Sequence, residues 1–78
     1  MKDGQLQESV QTCYQILEKD RCNEATHRLL IDCFVCLGQR AWALCQYKLC
    51  EGALRQEYNM MPSSEIQALY ASILKRGR

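Results

Sequence analysis

The sequence predicts an all-α fold of paired helices, and three observations carry that prediction. Apolar residues recur at three- and four-residue steps in four separate runs, which is the spacing of a half-buried helix. No stretch alternates apolar and polar residues as a strand would. Residues with cap and turn chemistry, Asp20, Asn23, Gly38 and Pro62, fall between the runs.

Taken in order, Leu6, Val10, Cys13 and Leu17 set a first helix over residues 5–19. Leu29, Leu30, Cys33, Phe34 and Leu37 set a second over residues 23–37, with Asp20 or Asn23 as its N-cap. Gly38 follows where a left-handed residue closes a helix, so the turn into the third helix is tight. Ala43, Leu44, Tyr47, Cys50, Leu54 and Tyr58 carry that helix over residues 39–58. Pro62 breaks the chain, and Ser63 or Ser64 can cap a fourth helix over residues 64–75, built on Ile66, Leu69, Tyr70, Ile73 and Leu74. Ser64 and Gln67 have capping-box spacing, and the closing KRGR sets cations and a glycine stop at the helix's negative pole.

Size and charge narrow the function. Seventy-eight residues make one domain, residues 1–78, with a small core. A net charge of +1 with acids and bases interleaved gives no field that argues for nucleic acid or an anionic membrane. No run reaches the ~18 apolar residues of a membrane helix, and the start MKDGQLQESV lacks a signal peptide's apolar segment. A cytoplasmic chain is expected. Six cysteines in a chain this periodic suit reduced thiols better than a secreted disulfide framework, which belongs to loop-rich sequences.

Sliding the chain by 34 residues lays GQLQESVQTCYQI, from Gly4, on GQRAWALCQYKLC, from Gly38. Gly-Gln meets Gly-Gln, Ser9 meets Ala43, Val10 meets Leu44, Cys13 meets Tyr47 and Ile16 meets Cys50. That shift is the period of the tetratricopeptide helical hairpin. Leu30, Phe34, Gly38, Ala43, Tyr47 and Cys50 occupy, in order, the positions where that repeat places Leu, an aromatic, Gly, Ala, an aromatic and a small residue. His27 and Arg55 depart from it, standing where a large aromatic and a proline are usual. In this register helix one is a second helix of a repeat without its first.

Three further stretches resemble one family. LEKD at residues 17–20 continues with Arg21 where the family usually has proline, and NEATHRLL at residues 23–30 is similar to its Glu-Ala-His-Arg-Leu signature. In residues 37–70, Gly38, Arg40, Ala43, Leu44, Tyr47, Leu54, Glu57, Pro62, Ser63 and Leu69 keep its register. The chain is similar to the bacterial transcriptional activator domain of regulators of the antibiotic-regulatory-protein type. The resemblance implies a tetratricopeptide-like module, here its C-terminal half, in a regulator whose DNA-binding domain is a separate winged helix absent from residues 1–78. It further implies a non-catalytic role in protein–protein interaction or oligomerisation, with a protein partner or a second copy, as in a homodimer, and with no direct contact to nucleic acid or membrane.

The residues alone suggest several candidate sites. Cys33, Cys36, Cys45 and Cys50 could hold zinc or form a redox switch in a small helical domain, the main alternative function. Against that, Cys33 and Cys36 fall near a helix C-terminus, where the dipole disfavours a thiolate, and Cys33 and Cys50 suit small core positions. Cys22, in a loop, is the thiol expected to react. His27 has no catalytic partner at a useful spacing, the acids are scattered, and neither an enzyme nor a cofactor is expected. For partner binding the candidates are Leu6 and Val10, on a face of helix one that helix two covers in part; Arg28, Asp32 and Val35, facing a concave groove; and Trp42. Arg28 and Asp32 are spaced to pair with each other, and Trp42 is expected to pack on helix four or to stand out as an anchor.

Overall fold

The computed structural model describes residues 3–76. Four helices follow one another, α1 (Asp3–Lys19), α2 (Glu24–Cys36), α3 (Arg40–Tyr58) and α4 (Ser64–Arg76), and no strand occurs among the described residues. Every helix end falls within two residues of the place its periodicity and caps predict.

Local chemistry explains those ends. Asn23 caps α2 by accepting the Thr26 N–H at 3.0 Å, while Asp20 supports it by accepting from the Asn23 amide at 3.3 Å. Gly38, at φ 76°, closes α2. Its N–H donates to the Val35 carbonyl at 3.0 Å and the Gln39 N–H to the Phe34 carbonyl at 2.7 Å, so two orphan carbonyls are satisfied in one turn. Asn59, left-handed at φ 55°, ends α3 in the same way, its N–H reaching the Arg55 carbonyl. At α4 the cap is Ser63, whose hydroxyl accepts the Ile66 N–H at 3.5 Å. Gln67 makes no capping box with Ser64; its amide donates instead to the Pro62 carbonyl at 2.7 Å and fixes the bend behind the helix. The predicted glycine stop, Gly77, lies outside the described residues.

The tight α2–α3 turn sets those helices antiparallel, and Ala43, fully buried, lets them approach closely. Leu30, Ile31, Phe34, Cys50 and Leu54 fill the seam. Cys13 extends the core onto α1, with Val10 and Leu17 half-buried beside it. Ile66 and Ile73 dock α4, and Tyr70 stacks on Tyr47 with ring centroids 4.0 Å apart and 12° between planes. The result is the tetratricopeptide-like all-α arrangement that the repeat predicts, a slab 37 × 31 × 16 Å. α1 packs on α2 and stays clear of α3.

The turn from α1 to α2 is fastened to the far half of α3. Arg21 pairs with Glu57 at 3.0 Å and donates to Gln56 at 3.2 Å, and the Cys22 thiol donates to the Ala53 carbonyl at 3.3 Å. His27, buried, lies between: Gln46 of α3 donates to its Nδ1 at 2.9 Å, which leaves Nε2 to carry the proton and donate to the Arg21 carbonyl at 2.7 Å.

Candidate functional site

The candidate partner-binding residues do not form one site. Val10 and Trp42 meet in a groove between α1 and the α2–α3 turn, lined also by Tyr14, Phe34 and Leu37. It continues along α3 past Cys45, Gln46 and Leu49. Because α1 and α3 keep apart, nothing among the described residues fills it. Trp42 is 59% exposed and leans on Phe34 with ring centroids 6.1 Å apart, so it stands out instead of packing on α4.

Arg28 and Asp32 line a second groove, between α2 and the start of α4. They do not pair with each other: Arg28 reaches across to Glu65 at 3.2 Å, since the docked α4 brings a carboxylate within range of its guanidinium. Both partners are exposed, so the pair contributes little to stability. Glu24 closes this groove by accepting the Ser63 N–H at 3.0 Å. Val35 turns away from it, half-buried beside Ile73 and Arg40.

On α1 the most exposed apolar residues lie beside the predicted stripe. The stripe Leu6, Val10, Cys13 and Leu17 is the packed face: Cys13 is buried and the other three are half-buried. The uncovered apolar residues are its neighbours Tyr14 and Ile16, on either side of that stripe. Ile16 shares a shallow third groove with Leu29 of α2, walled by Glu8, Ser9 and Thr12. Leu29, Tyr58 and Leu74, all assigned to buried stripes by periodicity, are likewise exposed.

The family model for the bacterial transcriptional activator domain matches residues 1–74. The chain belongs to that family. No curated protein and no solved structure matches it.

Within this activator domain, the residues that carry the family resemblance hold the fold. Gly38 turns the chain, Ala43 lets α3 approach, Tyr47 stacks on Tyr70, Glu57 holds Arg21, and Arg40 donates to the Ile73 carbonyl at 3.3 Å to anchor the last turn of α4. None of the exposed residues Tyr14, Ile16, Trp42 and Leu49 is among them.

The cysteines divide in the same way. Cys13, Cys33 and Cys50 are buried, whereas Cys36 and Cys45 are exposed on different helices. No three His, Cys, Asp or Glu among the described residues converge to hold a metal, so the zinc reading of Cys33, Cys36, Cys45 and Cys50 has no support in the geometry. Burial pushes the Cys50 thiol up to about 11, with Glu24 adding to the effect, and raises Cys13 and Cys33 as well. Cys22, expected to react, is half-buried and donates to Ala53; burial first and then the Glu57 carboxylate raise it too. The exposed thiols are Cys36 and Cys45. Burial lowers His27, and both its ring nitrogens are occupied by the fold.

Proposed function

We propose that this bacterial transcriptional activator domain is a non-catalytic association module, which brings copies of its regulator together through uncovered helix faces. The observation that carries the reading is the exposed apolar surface. Nine large apolar side chains among the described residues remain 40% exposed or more, from Ile16 at 40% to Leu49 and Tyr58 at 62%. On a chain of 78 residues that is surface for another protein to cover. Nothing in the arrangement of His27 or the thiols supports chemistry: the histidine binds backbone and amide, and burial favours the neutral form of the buried thiols. The domain takes a protein partner rather than DNA or lipid, since its charge is nearly balanced and no helix among the described residues is long and apolar enough to cross a membrane. A role in transcription supports the bacterial cytoplasm as its location.

Light scattering of the reduced chain across concentration tests this. An apparent mass that climbs above 9.1 kDa as concentration rises is expected. A mass fixed at that value into the millimolar range sinks self-association.

A further inference from the structure

α3 has two working faces. One builds the core with Ala43, Tyr47, Cys50 and Leu54. The other holds Trp42, Cys45, Leu49, Gly52 and Gln56, which recur at alternating steps of three and four, the seam spacing of a helix that pairs with another helix. All five are exposed and none is charged. Trp42 at 59% and Leu49 at 62% supply its bulk. The face borders the open groove that separates α3 from α1, so a second helix has room to reach it.

Gly52 is an independent observation. It sits inside α3, where glycine is the poorest helix former after proline, and a Cβ added there meets nothing within 4 Å. Its backbone does not require glycine either, since the glycine with a positive φ among the described residues is Gly38. A single chain therefore gives Gly52 no task, and the space over it is open.

This face is complementary to a copy of itself. When two such helices pack antiparallel about a two-fold axis level with Tyr47, Trp42 and Gly52 lie five residues to either side of the axis, and Cys45 and Leu49 two. Trp42 of each copy then faces Gly52 of the other, and Leu49 faces Cys45, so every bulky residue meets a small one. A parallel pair would set Trp42 on Trp42 and Gly52 on Gly52, a clash beside a void. Charge permits the match. The base nearest the axis, Lys48, falls at the edge of the face and is already paired with Glu51 at 3.6 Å.

We propose that a second copy of this chain docks on the outward face of α3 in a closed, two-fold antiparallel contact, with Trp42 of each copy seated over Gly52 of the other. This rests on the association reading and specifies its surface and its size. Assembly stops at two, because an isologous contact uses the same patch on both copies.

Filling the space over Gly52 tests it. Sedimentation equilibrium of the reduced parent is expected to reach a plateau at twice the 9.1 kDa of one chain. Gly52→Leu puts a better helix former into open space, so helical circular dichroism and melting temperature of the monomer hold or rise. The same side chain occupies the seat of Trp42 and weakens dimerisation by about tenfold or more. Trp42→Ala, at an exposed position, weakens it comparably. Register is read from Leu49→Cys combined with Cys36→Ser, which removes the other exposed thiol. Mild oxidation followed by peptide mapping is expected to join Cys45 of one copy to position 49 of the other. If the parent associates and Gly52→Leu associates equally well, or if oxidation joins Cys45 to Cys45, the α3 contact is wrong while the association reading survives. A parent mass that keeps rising past two chains overturns the closed pair. A parent that stays monomeric throughout removes both proposals together.

Discussion

The α2–α3 hairpin and the two helices that flank it are built to different standards. In the hairpin Leu30, Ile31, Ala43 and Cys50 are fully buried, and the joining turn satisfies its own carbonyls. α1 and α4 each sink one narrow stripe, represented by Cys13 on one side and by Ile66 and Ile73 on the other, and leave apolar residues outside. The lesson is a division of labour along a short chain. A central pair stabilises the domain, and the outer helices leave apolar residues uncovered, part of the surface on which the association proposal rests.

The contrast is broken most directly at Leu30. Leu30→Ala opens a cavity in the seam and is expected to cost about 2–5 kcal/mol in urea unfolding, whereas the same truncation at half-buried Leu17 on α1 costs about 1 kcal/mol. Equal losses at the two sites would erase the distinction. Next comes the hairpin turn. No atom lies within 4 Å of a Cβ added at Gly38, so Gly38→Ala meets no clash, and its cost of about 1–2 kcal/mol comes from the left-handed backbone alone. A neutral result there would show that the turn can relax.

Acidification probes the fastening between the hairpin and α1. Burial holds His27 below its ordinary 6.5, so the unfolded chain binds the proton first, and stability present above pH 6.5 is lost as pH falls below it. Melting temperature is expected to drop through that range in the parent and to drop less in His27→Gln. Parallel profiles would mean that the histidine contributes nothing to the pH response. The smallest effect belongs to the α4 flank: Arg28→Ala, which removes the exposed pair with Glu65, is expected to change stability by under ~1 kcal/mol and to matter less in high salt.

Helix boundaries were legible in the sequence because their causes are local. Asn23, Gly38, Pro62 and Ser63 act on backbone groups a few residues away, and the spacing of Tyr47, Cys50 and Leu54 reports one helix face directly. The site was less legible because its residues are defined by what fails to cover them. Periodicity marks Leu29 and Leu74 as apolar-face residues, but whether a face is covered depends on where the next helix lies. Tyr14 and Ile16 flank the packed stripe of α1, and only the gap between α1 and α3 explains why Tyr14 is open. The ties from Arg21 to Glu57 and from Arg28 to Glu65 span 36 and 37 residues, beyond the reach of any spacing rule. The 34-residue self-similarity did carry longer-range information, since it predicts the paired-helix arrangement that α2 and α3 form.

Trp42 is the sole tryptophan of the chain, and it stands in a surface groove instead of the core. Its indole is already wet in the native state, so its emission should be red-shifted from the start and change little when the hairpin melts. Anything that fills the groove beside Tyr14 and Leu49 dries the same ring and moves the emission to the blue. The fluorophore therefore responds little to unfolding and more to filling of the groove, an optical separation between the two events.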